Sequence, residues 1–410
     1  MSLSPPQHAP MLQFSSANGQ LQIGGQSLSR IAAELGTPCY IYDRSVMQRT
    51  LAALRAALPA GVGIHYALKA NPYAPLVNFL APQLEGLDVA SVGELSVALA
   101  SGTAAANISM AGPGKTDAVL NAALQAGIRI NVESAGELQR LAILAERSGK
   151  RARVALRINP DIELKSAGMH MGGGASPFGI DAEQVPQVLA MLPGMALDFE
   201  GFHFYAGSQI LRADVIVAMQ RHCFDLALQL VHGTGLTLRS INLGGGFGIP
   251  YFPGETRLDL SAIGPGLEEI LRDARTACPE AVINLELGRY LVGEAGLYVT
   301  RVVDKKISRG KTYLITDGGM NHHLAASGNL GQVLRKNYPV AIANRMDSEH
   351  TERISVVGPL CTPLDLLADN LTLPVSGPGD LVVIYQSGAY GYSASPQLFL
   401  SHPAPKEALV

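Results

Sequence analysis

Residues 87–111, LDVASVGELSVALASGTAAANISMA, contain the pattern that decides the fold. A short apolar run, Leu87–Ala90, is followed by an amphipathic stretch, Glu94–Ala100, and then by a second apolar run, Ile108–Ala111. Strand-length runs separated by helix-length amphipathic segments are typical of βαβ units, in which successive strands lie parallel. This segment therefore predicts a parallel sheet covered by helices.

The same alternation extends from about residue 36 to residue 290. Predicted strands are Gly63–Leu68, Leu87–Ala90, Ile108–Ala111, Ile128–Val132, Arg153–Ile158, Phe199–Tyr205, Ser240–Leu243 and Val282–Leu287. Predicted helices include Glu94–Ala100, Asp117–Ala126, Ala135–Arg147, Ala182–Met191, Ala213–His232 and Gly266–Ala277. Eight strands with helical sequence between them is the count of a (β/α)8 barrel, although a doubly wound open sheet has the same local pattern. We predict an α/β protein with a barrel over residues 36–290.

The pattern changes after residue 290, where helical periodicity nearly disappears. Strand-like runs separated by turn residues predict a second, C-terminal β-rich domain of the sandwich or barrel type. They are Leu297–Val303, Thr312–Thr316, Ile354–Val357 and Asp380–Tyr385. Met11–Ile23 also has strand composition, so we predict that residues 11–35 join residues 291–410 in this domain. Residues 1–10 are expected to form a flexible N-terminus.

Composition narrows the class of protein. The chain has 410 residues, of which 47% are hydrophobic and 16% charged, and its net charge is −3. A balanced charge predicts no nucleic-acid partner, and no apolar run approaches the roughly 20 residues needed to cross a bilayer. The first ten residues lack the pattern of a secretory leader, and the four cysteines are far apart. We expect a cytoplasmic protein with free thiols that does not bind a membrane.

Lys69 closes the first predicted strand, in the run HYALKAN (65–71). A lysine after a strand is ordinarily a solvated charge. In a barrel, however, the ends of the strands form the mouth in which active sites lie. Desolvation there lowers the pKa of a lysine and lets it form a Schiff base.

Two further motifs follow the last two predicted strands. NLGGGFG (242–248) lacks the spacing of a dinucleotide site or a P-loop, and glycine clusters are often simple turns. Their bare backbone can nevertheless approach a phosphate, and barrel phosphate sites form after strands seven and eight. LELGRY (285–290) contains Glu286 and Arg289. These two could pair with each other, or Arg289 could meet a phosphate while Glu286 meets a protonated ring nitrogen.

Seven ordered blocks together resemble the fold-type-III decarboxylases that depend on pyridoxal 5′-phosphate (PLP), which include diaminopimelate, ornithine and arginine decarboxylases. The blocks are YALKAN (66–71), DVAS and GEL (88–91, 93–95), GFHFYAGSQ (201–209), GGGFG (244–248), ELGRY (286–290), GPLC (358–361) and GAYGY (388–392). The resemblance covers about residues 36 to 400. It implies an alanine-racemase-like barrel, PLP as cofactor, and loss of the α-carboxylate of an amino acid or amino-acid conjugate.

The resemblance also implies roles for individual residues. Lys69 would form the Schiff base, Asp88 would contact Lys69, and Glu286 would face the pyridine nitrogen. Cys361 would act near the substrate Cα from the partner subunit, which implies a homodimer with composite active sites. The implied phosphate ligands are Ser208, Gly244, Gly245, Gly246, Arg289 and Tyr390.

This chain departs from the family pattern at several positions. Tyr205 stands where the family has a histidine that stacks on the cofactor ring, and its aromatic ring retains that role. The Arg-Pro-x-x-Tyr and Cys-Glu-Ser-Gly-Asp segments of diaminopimelate decarboxylases are missing, although Asp365 keeps an acidic group nearby and Lys165 is an unassigned cation.

The runs HHLAASGN (322–329) and GMHMGGG (168–174) instead resemble a subgroup that includes an exosortase-associated decarboxylase and a glutamyl-carrier-protein decarboxylase. This implies a substrate presented by an acyl carrier protein.

Alternatives remain at this point. Diaminopimelate decarboxylase proper is one, an amino-acid racemase on the same fold is another, and a non-catalytic PLP-binding protein is a third. His322 and His323 are adjacent and cannot both face one site in a regular strand, so we expect no metal.

Overall fold

The computed structural model describes residues 6–162, 169–170 and 174–410, with side chains at all of these except 169 and 170. The chain divides into two compact units. The barrel unit contains Ala52–Gly248 and Leu258–Gly288, and the β unit contains Met1–Leu51, Ile249–Arg257 and Arg289–Val410. Residues 1–5 of the predicted flexible N-terminus and Lys165 lie outside the described residues.

The first elements of the chain are short strands and two helices. They are β1 (Ser16–Ala17), β2 (Gln20–Ile23), β3 (Gln26–Ser27), α1 (Leu28–Leu35), β4 (Cys39–Tyr42) and α2 (Arg44–Ala57). The prediction of a strand over Met11–Ile23 was wrong in extent, because Asn18 and Gly19 turn the chain with φ values of 51° and 71° and make β1 and β2 an antiparallel hairpin. The hydroxyl of Ser27 accepts a hydrogen bond from the Arg30 amide and caps α1.

The barrel unit alternates strands and helices. Its strands are β5 (Val62–Ala67), β6 (Gly86–Val89), β7 (Ile108–Met110), β8 (Arg129–Val132), β9 (Ala152–Asn159), β10 (Met169–His170), β11 (Ile180–Asp181), β12 (Leu197–Phe204), β13 (Gly207–Ser208), β14 (Ser240–Gly245) and β15 (Val282–Leu287). Its helices beyond α2 are α3 (Ala74–Leu80), α4 (Val92–Ala100), α5 (Asp117–Ala126), α6 (Ala135–Ser148), α7 (Val185–Met191), α8 (Ala213–Val231) and α9 (Gly264–Ala277).

Among the described residues, eight parallel strands close into a barrel in the order β9-β12-β14-β15-β5-β6-β7-β8, and β8 pairs back to β9. This closure confirms the (β/α)8 prediction and rules out the open sheet. Each of the eight predicted strands is present within a residue or two of its predicted bounds. Buried apolar residues dominate these strands, as in Val62–Ala67, because both faces of a barrel strand are covered.

The β unit continues with one short helix and seven strands in the described part of the chain. They are α10 (Arg289–Val292), β16 (Gly296–Ser308), β17 (Lys311–Thr316), β18 (Val340–Ile342), β19 (Thr351–Val357), β20 (Leu366–Pro374), β21 (Leu381–Ile384) and β22 (Lys406–Leu409). The order β18-β21-β16-β17-β19-β20 confirms the predicted C-terminal β-rich domain. β4 pairs with β16 and β22, so residues 36–51 lie in the β unit and not in the predicted barrel segment.

A hydrophobic core joins the N-terminal hairpin to the C-terminal strands within the β unit. Leu21, Cys39 and Val383 belong to it, and all three are almost fully buried. No helix in the described ranges is long and apolar enough to cross a bilayer.

Candidate active site

Lys69 lies at the carboxyl end of β5, in a 3₁₀ turn that spans Leu68–Ala70. The flanking residues Leu68 and Ala70 are buried, whereas the Lys69 side chain is 38% exposed. The carboxyl ends of barrel strands form one face, which is the face where barrel enzymes place their chemistry. Lys69 therefore lies at the end of a barrel strand, where the sequence predicted it.

Glu286 is the acceptor for Lys69. It lies near the end of β15, 4% exposed, and its Oε1 accepts a hydrogen bond from Lys69 Nζ at 3.1 Å. Its Oε2 accepts a second hydrogen bond from Nε2 of the buried His203 at 2.8 Å. Burial raises the pKa of a carboxyl group, yet Lys69 and His203 outweigh it and hold the pKa of Glu286 well below its usual range. The carboxylate is therefore ionised.

Tyr205 and His203 come from the same stretch, at and just after the end of β12. The Nζ atom of Lys69 lies 4.4 Å from the centroid of the Tyr205 ring, a cation–π distance. His203 and Tyr205 are two residues apart, so they point the same way in an extended chain. The structure thus brings together three residues that the sequence placed at different strand ends, and it adds His203.

Asp88 lies in the barrel interior on β6. Its Oδ1 accepts a hydrogen bond from the Ser109 hydroxyl and lies 3.5 Å from His65 Nδ1. Its hydrogen bonds therefore go to these residues and not to Lys69, because Ser109 is its direct neighbour in the β6–β7 register. Its Oδ2 is buried and has no hydrogen-bond partner among the described residues.

The glycines at the end of β14 and just after it are required by the close approach of backbone segments. Gly244 has φ +73°, and a Cβ there would lie 2.6 Å from the carbonyl oxygen of Phe204. Gly246 has φ +79°, and a Cβ would lie 2.6 Å from the carbonyl oxygen of Gly207. A Cβ on Gly245 would collide with the Glu286 carbonyl oxygen. These glycines therefore bring the barrel-rim backbone together next to Ser208 in β13.

Arg289 and Tyr390 lie together in the β unit. The Arg289 guanidinium is 4.7 Å from the Tyr390 ring centroid and donates a hydrogen bond to the Tyr251 hydroxyl at 2.9 Å. Burial lowers the pKa of an arginine, but the neighbouring tyrosines outweigh it and raise the pKa of Arg289. Its Nε is a buried donor that has no hydrogen-bond partner in the described part of the chain. Tyr390 has φ +55°, a strained conformation for a tyrosine.

Cys361 is exposed, and the loop that carries it is held by Asp365. The Asp365 Oδ1 accepts a hydrogen bond from the Met320 amide at 2.6 Å, and its Oδ2 accepts one from the Leu360 amide at 2.8 Å. Burial raises the pKa of Asp365. Because both oxygens accept hydrogen bonds from backbone amides, Asp365 connects this loop to the segment that contains Met320.

The adjacent histidines diverge. His322 Nε2 lies 3.0 Å from the Pro403 carbonyl oxygen, whereas His323 Nε2 lies 2.9 Å from the Ser387 hydroxyl. Within the described ranges, no three His, Cys, Asp or Glu side chains are grouped as metal ligands.

Comparison with known proteins decides the family. Residues 44–293 match the family described as pyridoxal-dependent decarboxylase, pyridoxal binding domain. The chain belongs to the pyridoxal-dependent decarboxylases. It is an amino-acid decarboxylase by this membership, as the family resemblance implied, and the racemase alternative is not favoured.

The curated relatives extend this likeness over nearly the whole chain. An L-glutamyl-[BtrI acyl-carrier protein] decarboxylase of Niallia circulans is 39% identical over 388 residues, which cover 93% of this chain and 90% of the relative. A 2-[(L-alanin-3-ylcarbamoyl)methyl]-2-hydroxybutanedioate decarboxylase of Staphylococcus aureus is 33% identical and covers 90% and 92%. A diaminopimelate decarboxylase of Methanothermobacter thermautotrophicus is 32% identical and covers 96% and 91%.

Solved structures share the fold. Diaminopimelate decarboxylase of M. jannaschii has a TM-score of 0.88 at 25% identity and covers 97% of this chain and 92% of that one. The Helicobacter pylori enzyme in complex with L-lysine has a TM-score of 0.83 at 28% identity, with 93% of each chain covered.

The sequence analysis assigned no role to two residues, His203 and Arg157, that act on Glu286. His203 was present in a quoted motif but received no role. Arg157 contributes to the low pKa of Glu286 and donates to Glu133 Oε1 at 2.9 Å. Both residues could have been found from the sequence, because they are ionisable residues inside apolar strands. Such residues are rarely buried unless they are paired.

Proposed function

We propose that this chain holds PLP on Lys69 and decarboxylates an aminoacyl group that is presented by an acyl carrier protein. The proposal that PLP is held on Lys69 is supported by one arrangement: Lys69 and His203 each contact one oxygen of the buried Glu286 carboxylate. The residue set fits the cofactor, because an ionised, buried carboxylate is what a protonated pyridine nitrogen requires. Bound PLP would act as the electron sink for the pair left when carbon dioxide departs.

The chain's own residues would prepare and protect this chemistry. Lys69 would give the cofactor its covalent attachment and would be displaced from Glu286 when it does so. His203 would keep the Glu286 carboxylate ionised and oriented, and Tyr205 would cover one face of the cofactor ring. Asp88 is held by Ser109 and His65, and its free Oδ2 is available as an acceptor at the level of the β5 and β6 ends.

Phosphate ligands are proposed from the family resemblance and from donor chemistry. Gly244, Gly245 and Gly246 have no side chains to shield their backbone, although the Gly244 amide donates to Asn242 Oδ1 at 2.9 Å, and Ser208 adds a hydroxyl. Arg289 carries a buried Nε donor that is unused by the described residues, and it contacts the ring of Tyr390. An anion that binds Arg289 would satisfy this donor.

The proposal of a carrier-linked substrate is supported by two relatives and by the lack of two substrate-binding segments that diaminopimelate decarboxylases have. The Niallia circulans relative is named for an acyl-carrier-protein substrate, and the Staphylococcus aureus relative for a conjugated alanine unit. Asp365 is buried and accepts hydrogen bonds from the Met320 and Leu360 amides, so we propose that it does not bind a distal ammonium group. A site that lacks partners for buried charges disfavours a doubly charged substrate such as diaminopimelate.

Cys361 is proposed to complete the site of a partner subunit in a homodimer. Its exposure in the single chain and the well-anchored loop around it are consistent with that role. Mixing Lys69→Ala chains with Cys361→Ala chains should restore part of the activity that each variant lacks. A mixed dimer would hold one intact composite site. If mixing restores no activity, the active site is not shared between subunits.

The proposed function is tested by a carbon dioxide release screen. Free amino acids and carrier-loaded aminoacyl groups, glutamyl first, are supplied with PLP, and optical rotation is followed in parallel to separate decarboxylation from racemisation. We expect release from the loaded carrier and none with Lys69→Ala, which should also lose the visible absorption of lysine-bound cofactor. Turnover of diaminopimelate in preference to carrier-linked groups would overturn the substrate assignment.

A further inference from the structure

A groove lies on one face of the sheet in the β unit, beside the loop that contains Cys361. Its volume is about 570 Å³. Its floor is the sheet formed by β16, β17, β19 and β20, and the loop 358–365, which follows Val357 of β19, lines one end. The groove-lining residues used below are Lys306, Lys311, Tyr313, Ile315, Val357 and Leu360.

Two lysines, Lys306 and Lys311, line the other end of the groove. In the β16–β17 register, Lys306 is opposite Tyr313 and Ser308 is opposite Lys311, so the two lysines are diagonal neighbours on one face. Diagonal neighbours have Cβ atoms roughly 7 Å apart, which lets two long side chains reach one anion. Neither Lys306 nor Lys311 has a hydrogen-bond or ion-pair partner among the residues described. Lys305, on the opposite face, is by contrast paired with Glu352.

The acids near this groove are already engaged. Asp365 accepts from two backbone amides, Asp369 accepts from the Ser355 hydroxyl at 2.8 Å, and Asp304 accepts from the Lys305 amide at 2.8 Å. Asp365 and Asp369 also line the groove, but neither forms an ion pair with Lys306 or Lys311, so both ammonium groups are open to an external anion. Between the lysines and the loop end the floor is apolar, with Ile315 and Val357 partly buried.

We propose that this groove binds the 4′-phosphopantetheine arm of a carrier protein, with Lys306 and Lys311 at the phosphodiester. The inference rests on the carrier-linked substrate proposed above. The arm has one anionic end followed by an extended chain of apolar and amide groups, which matches one cationic end followed by an apolar floor. From Lys311 to Ile315 the strand spans roughly 13 Å at about 3.3 Å per residue, so an arm lying on β17 is directed towards the loop of Cys361.

A binding measurement tests the groove without using activity. The PLP-loaded protein is titrated with 4′-phosphopantetheine and with pantetheine, which lacks the phosphate. We expect the phosphorylated compound to bind about tenfold more tightly, as two exposed charge contacts would give. Lys306→Gln with Lys311→Gln should remove this difference, whereas Lys305→Gln on the opposite face should retain it. Equal binding of the two compounds by the unaltered protein would overturn the proposal.

Kinetics separate this inference from the proposed function. A carrier-loaded aminoacyl group is compared with the same group on N-acetylcysteamine, a thioester without phosphate. The double lysine variant should raise KM about tenfold for the carrier substrate alone, and Ile315→Trp, which fills the groove, should do the same. If the unaltered enzyme uses the carrier substrate but these variants leave KM unchanged, the groove proposal fails while the proposed function stands. If no carrier substrate reacts but phosphopantetheine still binds through the lysines, the proposed function fails alone.

Discussion

The Oε1 atom of Glu286 lies 3.1 Å from the Nζ atom of Lys69, and its strand, β15, pairs directly with β5, which Lys69 follows. The lysine thus neutralises a carboxylate that burial would otherwise make costly. If Lys69 holds the cofactor as proposed, Glu286 would need another cationic partner, and a protonated ring nitrogen would supply one. The Glu286 carboxylate would then have a cationic partner both before and after the cofactor is attached.

Glu286→Gln should lower the rate of carbon dioxide release by about 10²–10³-fold at saturating PLP, because an amide cannot keep the ring nitrogen protonated. The visible absorption should still report cofactor on Lys69. His203→Gln, which keeps a donor towards Glu286, serves as the matched control and should cost far less. A Glu286→Gln enzyme with nearly full activity would contradict the assigned role.

His323 should make the protein less stable in acid. Burial lowers the pKa of His323 from 6.5 to about 3, so between these values the unfolded chain binds a proton that the folded chain does not. The free energy of unfolding therefore falls as pH drops through that window, by at most about 1.4 kcal/mol per pH unit.

His323→Phe removes this proton and also the hydrogen bond to Ser387, so it should be less stable at pH 8 but should approach the unaltered protein at pH 4. Denaturant unfolding across this range, with the exposed His350→Phe as control, measures the effect. Parallel pH curves for the two proteins would show that His323 is not responsible.

Gly244→Ala should destabilise the barrel by about 2–3 kcal/mol, since its φ of +73° and the nearby Phe204 carbonyl leave no room for a Cβ. Gly114→Ala is the matched control, because it has no neighbour within 4 Å and no positive φ. The comparison is made by urea unfolding of both variants. Equal stability would mean that the glycine run is not required by backbone packing.

Lys115 and Glu137 form an ion pair at 2.8 Å with both side chains 2% exposed. Lys115 also donates to the carbonyl oxygens of Gly112 and Asn131. Lys115→Met should cost about 3–5 kcal/mol because it leaves Glu137 buried and unpaired. Adding Glu137→Leu should recover much of that loss, as measured by urea unfolding. If the double variant is no more stable than Lys115→Met alone, the loss does not come from leaving Glu137 buried without its partner.

The barrel was predictable because its strands are buried on both faces and appear in the sequence as separate apolar runs. Strand β20, Leu366–Pro374, was missed because the run LLADNLTLP mixes polar residues into the pattern and Asn370 adopts φ +55°. The position of Lys69 at a strand end followed from a local pattern. The partner of Asp88 did not, because it depends on the register between β6 and β7.

The contact between His203 and Glu286 joins residues 83 positions apart, and no local pattern encodes such a distance. The separate motifs predicted that Glu286 stands at a strand end, but the contact depends on the strand order, in which only β14 separates β12 from β15.

The Asp365 carboxylate binds the amides of Met320 and Leu360, which lie on two different segments of the β unit. Gly319 and Gly358 leave space for it, because a Cβ at either position would collide with that carboxylate. The turn that precedes Cys361 is therefore ordered before any second chain arrives. In the proposed homodimer, association would then not cost the conformational entropy of folding that turn, and the Cys361 thiol would be positioned at a small entropic cost.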